Sequence, residues 1–190
     1  MATLGSVARI KVDPFTLLKE EHRQIKDLFE VFESAPDTVT RLQVAEQALK
    51  RLTVHAQVEE EFFYPGVRSL HDDRDVNALV DEAIAQHRVA ERLIDELQHM
   101  SATEDGYRAK FRALAESVTQ HMAEEEHDIF PRGARANINW DEVGALMQLR
   151  AMTLRRSARA ASAPAGIHGH ARDRFRARAP MRALSERHDR

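Results

Sequence analysis

The feature that most restricts this chain is an imperfect internal repeat. Residues 55–65 read HAQVEEEFFYP and residues 121–131 read HMAEEEHDIFP. Both have the form His-x-x-x-Glu-Glu, followed by an aromatic residue and a proline. The repeat extends backwards: His22-Arg23 lies 33 residues before His55, and His87-Arg88 lies 34 before His121. The chain therefore reads as two helical hairpins, each with one His on its first helix and a His-x-x-x-Glu on its second. Residues four apart share a helix face. His55 and Glu59 thus point to one spot, as do His121 and Glu125.

Apolar spacing supplies the helices that carry the repeat. Asp13-Pro14 reads as an N-cap followed by proline at the first helical position, with Leu18, Ile25, Phe29 and Phe32 recurring at helical intervals after it. Ser34 to Asp37 breaks that helix. A second helix is expected over 39–63, stopped by Tyr64-Pro65-Gly66. A third is expected over 75–100, and a fourth over 107–130, closed by Pro131-Arg132-Gly133. Four long helices joined by short turns predict an all-α, antiparallel up-down-up-down four-helix bundle. In that arrangement His22, His55, His87 and His121 fall at one level near one end, to within about one helical turn at ~1.5 Å rise per residue. Asn139, with Glu142 three residues later, predicts a short extra C-terminal helix ending near Arg155.

Composition narrows the function classes. Seven glycines and six prolines in 190 residues leave little room for a sheet or a loop-rich fold. The absence of cysteine removes disulfides, iron–sulfur clusters, thiolate zinc and cysteine nucleophiles together. Met1 to Val12 has no apolar core of a signal peptide, and no run of about 18 apolar residues exists. A cytoplasmic protein with no membrane association is expected. Charge is uneven: Met1 to Leu154 carries 18 Lys and Arg against 28 Asp and Glu, a balance of −10, while Arg155 to Arg190 carries 10 against 3, or +7. The chain therefore divides into an acidic bundle, residues 1–155, and a basic tail, 156–190, expected to be disordered. With one aromatic residue, Phe175, and no reader motif, the tail is not expected to bind nucleic acid.

Imidazole nitrogens with carboxylate oxygens suit iron or manganese, and a carboxylate has two oxygens with which to bridge two ions. Glu59 and Glu125 would hold a pair of metals, with His22, His55, His87 and His121 in terminal positions. Glu91 stands four residues after His87 and joins the candidate metal ligands. Its counterpart in the first hairpin is Lys26, so one metal position would be better filled than the other.

At these residues the chain resembles the hemerythrin-like, or HHE, family, whose pattern is a His, then His-x-x-x-Glu, repeated on a four-helix bundle with a di-iron centre. His22, His55, Glu59, His87, His121 and Glu125 match that pattern position by position, over roughly residues 13–135. The resemblance implies two non-haem iron ions with oxo or hydroxo and carboxylate bridges. It also implies a small ligand such as H2O2, O2 or NO. Oxygen-carrying hemerythrins place a His where this chain has Glu91, and an Asp at a longer spacing where this chain has Glu125. The extra carboxylate favours ferric iron and hence redox turnover over reversible O2 carriage. Decomposition of hydrogen peroxide of the catalase type is the leading expectation. The alternatives are nitric oxide or peroxide reduction with an external reductant, and non-catalytic O2 or iron sensing.

Other motifs read as structural. Glu96/His99 and Glu124/His127 match a ferritin-like Glu-x-x-His string but lie on consecutive helices, and are taken as chance surface matches. His71, His168, His170 and His188 are expected to be solvated. One Glu of each Glu-Glu-Glu run should point inward and the others face water. Phe62, Phe63, Phe130, Met122, Tyr64 and Tyr107 are expected in the core.

Overall fold

The structure, a computed structural model, describes residues 11–70, 74–101 and 106–162. His71, Phe175, the tail histidines, most of the turn before Gly106 and all of the tail from 163 onward lie outside the described residues. Helix α1 spans Pro14–Ser34, and the Asp13 carboxylate accepts from the amides of Phe15 and Thr16 as the sequence predicts. Helix α2 begins at Thr38–Val58 with Asp37 as its cap. Helix α3 spans Arg74–His99, and α4 begins at Tyr107–Glu124. Helix α5 covers Trp140–Ser162. The described residues contain no strand, and the all-α bundle with an added C-terminal helix is the fold.

Two expectations about helix ends need correction. Pro65 and Pro131 do not stop their helices. Helix α2 first widens into a π-helical turn, Glu59–Phe63, and then makes one more α turn, Tyr64–Val67. Helix α4 does the same through Glu125–Ile129 and Phe130–Gly133. The amide of Tyr64 reaches back five residues to the Glu59 carbonyl, and that of Phe130 to Glu125. Each proline comes one residue later with no N–H to place. The shifted ladder relieves the clash its ring would make four residues back. Helix α5 also runs beyond Arg155, because the Ser-Ala-Arg-Ala-Ala segment consists largely of good helix formers even where nothing apolar remains to bury.

Two apolar clusters fill the bundle, one above and one below the repeat histidines. The first is built on Ile25, Phe32, Leu49, Phe111, Leu114 and Met122. The second includes Leu18, Phe63, Tyr64, Val67, Phe130 and Met147. Phe15, Phe63, Phe130 and Trp140 meet edge to face or tilted, with centroids 4.9 to 5.8 Å apart, and close the end nearest the histidines. Helix α5 lies over α1 and α2. Arg150 pairs with Glu61 at 2.7 Å, and Arg155 with Glu21 at 2.8 Å.

Close approach fixes where α5 sits. A Cβ on Gly144 would stand 2.0 Å from the Val12 carbonyl oxygen, so the helix touches the segment leading into α1 backbone to backbone. Gly144→Ala gains about 1 kcal/mol of helix propensity. The clash with a carbonyl that cannot rotate away outweighs it, for an expected net loss of about 1–3 kcal/mol in urea unfolding. A stabilised variant would show that α5 does not rest on that segment.

Candidate metal centre

The π turns begin at the two inward-pointing glutamates. Glu59 and Glu125 are fully buried, and His22, His55, His87 and His121 are buried with them. Four chain segments thus deliver six polar side chains to one spot between the apolar clusters. An extra residue in a helical turn rotates every later position about the helix axis. Glu59 and Glu125 share a helix face with His55 and His121 four residues earlier, and the rotation after them keeps Phe63 and Phe130 in the core.

The donor atoms form two groups that share a residue. One contains His22, His55, Glu59 and Glu125; the other contains Glu59, His87 and His121. Within each group one atom per residue lies within 4.8 Å of every other. His55 Nε2 stands 3.3 Å from Glu59 Oε2, and His87 Nε2 stands 3.4 Å from the same oxygen. Glu125 Oε2 lies between His22 Nε2 at 3.4 Å and His121 Nε2 at 3.9 Å. Most of these separations are long for hydrogen bonds and short for charges in a dry interior. All four carboxylate oxygens, His22 Nε2 and both ring nitrogens of His55 are buried without a hydrogen-bond partner. Each such atom costs about 1–3 kcal/mol. Summed over the cluster, that rivals the whole stability of a domain, about 5–15 kcal/mol. Cations at the two foci would satisfy the set, so the residues present fit a pair of metal ions.

Outside the cluster, the far nitrogens of His22, His87 and His121 are held. His22 Nδ1 meets Glu126 Oε1 at 2.8 Å, and His87 Nδ1 meets Glu60 Oε1 at 2.9 Å. His121 Nδ1 donates to Gln86 Oε1 at 2.7 Å, and the Gln86 amide in turn donates to Glu124 at 2.8 Å. In the neutral imidazole a donating Nδ1 leaves Nε2 as the lone-pair nitrogen facing inward. The two hairpins hold each other's histidines: Glu60 of the first grips His87 of the second, and Glu126 of the second grips His22 of the first. The sequence alone suggests solvated residues at Glu60 and Glu126 and does not single out Gln86. The one signal in the sequence is the second Glu of both His-x-x-x-Glu-Glu motifs. Tyr64, expected in the core, is buried, and its hydroxyl also lies 3.4 Å from His87 Nε2. Tyr107 packs in the other cluster, away from the site.

Glu91 is not brought into either group. It is exposed and lies on the wall of a small cavity that also touches Leu52, His55, His87, Ala90 and His121. The cavity holds about 30 Å³. His99 is exposed at the far end of α3, and no metal-ligating group among the described residues includes it or His127.

Burial and charge divide the four histidines. Burial pulls the His22 pKa down, but the facing Glu125 and Glu59 carboxylates outweigh it and lift it to about 10. His87 is raised to about 9, against burial, by Glu59 and Glu60. Burial dominates at His121, which falls to about 4, and at His55, which is pushed well below its ordinary value. The 3.0 Å contact between His87 Nε2 and His121 Nε2 agrees with this division, since one nitrogen must donate and the other accept. Burial, then the charge of Glu125, raises Glu59; contact with His22 holds Glu125 low despite burial.

Comparison with known proteins gives the same picture. A DNA nickase from Nostoc sp. (strain PCC 7120 / SAG 25.82 / UTEX 2576) is 29% identical over 114 residues, which are 60% of this chain and 31% of that protein. The chain thus spans less than a third of the length of this curated relative. The crystal structure of a hemerythrin HHE cation binding domain-containing protein from Mycobacterium kansasii superposes with a TM-score of 0.68 at 26% identity, covering 78% of this chain and 91% of that one. The family model described as Hemerythrin HHE cation binding domain matches residues 13–132, the span that carries all six buried His and Glu residues. The chain belongs to the hemerythrin HHE cation-binding family.

Proposed function

We propose that this protein holds two non-haem iron ions and decomposes hydrogen peroxide. The observation that carries the reading is the pairing of a buried His/Glu cluster, full of unpartnered donors, with a small cavity beside it. At about 30 Å³, above the ~10–15 Å³ that one water requires, it has room for a ligand of a few atoms such as H2O2, O2 or NO. DNA nicking is not carried over from the Nostoc relative, of which this chain spans 31%.

His22, His55, Glu59 and Glu125 would hold one ion, and His87 and His121 the other, with Glu59 shared. Bound iron would supply the redox couple that takes two electrons from one peroxide, releasing O2, and gives them to a second, yielding two waters. The chain's own part is positioning and proton handling. Glu60, Glu126 and Gln86 fix the imidazole tautomers. Burial keeps Tyr64 protonated, so its hydroxyl is a standing donor next to His87. Glu91, exposed on the cavity wall, is placed to pass protons to solvent.

Peroxide added to iron-loaded protein in an oxygen electrode should release O2 in proportion to iron content. Glu59→Ala and His121→Ala should lower that rate by at least about 100-fold, with helicity retained. Full turnover in Glu59→Ala would rule the mechanism out. Absence of O2 release at about two irons per chain would move the reading to nitric oxide chemistry or ligand sensing.

Metal uptake should also move protons. At neutral pH His22 and His87 are protonated in the metal-free protein, and both must lose that proton to bind a metal. Zn²⁺ titrated into weakly buffered metal-free protein at pH 7 should release roughly two protons per chain. Stability of the metal-free form has a sign on each side. His22 and His87, raised above 6.5, contribute stability that is lost as pH climbs toward about 9 and about 10. His121, lowered to about 4, contributes stability that is lost as pH falls from 6.5. Thermal melts of metal-free protein should therefore peak near pH 6.5, and a flat profile from pH 4 to 10 would contradict these assignments.

A further inference from the structure

Helix α5 turns one face to the bundle and leaves another bare. Its inner face buries Met147, with Val143, Ala151 and Leu154 packed beside it. On its outer face Leu146 is 44% exposed, Leu149 63% and Met152 50%. Single exposed leucines are ordinary. Here three large apolar side chains crowd two turns of one helix face, while the other exposed large hydrophobics among the described residues are scattered over α1, α2 and α3. The helix lies beyond the span matched by the family model.

The ends of this stripe carry opposite charges at equal distance. Seven residues before Leu149 stands Glu142, and seven after it stands Arg156. Both are exposed, and seven residues is two turns, so both lie on the Leu149 face. Apart from a weak 3.3 Å contact from the Asn139 amide, the Glu142 carboxylate has no side-chain partner among the described residues, and neither has Arg156. When two copies of such a helix pack antiparallel about a two-fold axis through Leu149, residue 149+n of one meets residue 149−n of the other. Leu149 then meets Leu149, Leu146 meets Met152, Ala145 meets Thr153, and Glu142 meets Arg156, twice over. The parallel arrangement would set Glu142 against Glu142 and Arg156 against Arg156.

We propose that the outer face of α5 is a homodimer interface, in which a second copy of this chain packs antiparallel about Leu149 with reciprocal Glu142–Arg156 ion pairs. The apolar stripe provides the attraction and the charges select the register. The metal cluster faces away from this surface, so assembly and peroxide turnover are separable.

The full chain, run in analytical ultracentrifugation over a concentration series, should show a monomer–dimer equilibrium. Leu149→Glu should abolish the dimer and leave helicity and iron content unchanged. Glu142→Arg and Arg156→Glu should each be monomeric alone, because each places like charges together at both contacts. Mixing those two variants restores opposite charges at both contacts, and the mixture should regain dimer mass. A wild-type chain that stays monomeric at the highest concentration reached would overturn the proposal. So would a dimer that survives Leu149→Glu, or a mixture that fails to associate. Since the mixture tests association directly, a folding defect in one variant cannot imitate success.

Discussion

Two carboxylates with no hydrogen-bond partners sit in the dry centre of this bundle, and the rest of the structure answers to them. Glu59 and Glu125 are fully buried within reach of four imidazoles. Moving a charged carboxylate into such surroundings costs several kcal/mol unless it is compensated. The compensation is divided: His22 and His87 carry positive charge in the metal-free protein, while His55 and His121 stay neutral. A cluster poised in this way resembles a metal site more than a core, because partial protonation satisfies it only in part.

The scaffold surrounds that cost with apolar mass. One cluster of leucine, phenylalanine and methionine lies on one side, and an aromatic plug of Phe15, Phe63, Phe130 and Trp140 lies on the other. Helix α5 rests on the first two helices and is tied down by Arg150–Glu61 and Arg155–Glu21. Both ion pairs are partly exposed, so they orient α5 more than they hold it. The reciprocal grip of Glu60 on His87 and Glu126 on His22 locks the hairpins together at the level where the chemistry would occur. A shift of one hairpin along the other would break both contacts at once.

Much of this was legible in the residues. The doubled His-x-x-x-Glu, with the His that lies 33 or 34 residues before each copy, named the six His and Glu side chains that the fold buries together. Helical periodicity gave the all-α bundle, and Asp13 before Pro14 gave the first cap; the cap at Asp37 came only with the structure. Those readings succeed because they depend on local spacing: positions four apart share a face in any α-helix. The fifth helix was also visible, from Asn139 and Glu142, but not its length, since a surface helix of good formers ends without an apolar signal.

What only the tertiary structure decided concerns register and reach. Pro65 and Pro131 look like stops, yet the π turns before them carry the helices on, because the hydrogen-bond ladder can shift by one residue at modest cost. Glu59 and Glu125 point inward by their spacing from His55 and His121, while the shift decides how the residues after them face. Whether the next one, Glu60 or Glu126, crosses to the opposite hairpin depends on how the hairpins pack. Glu91 obeys the same i+4 spacing from His87 as the buried glutamates do from theirs. It is exposed, however, and ends on the cavity wall outside both donor groups. Spacing along the chain determined which residues were available for the cluster. The geometry of four packed helices determined which of them reach it, because a side chain's partners across a bundle are set by neighbours far away in sequence.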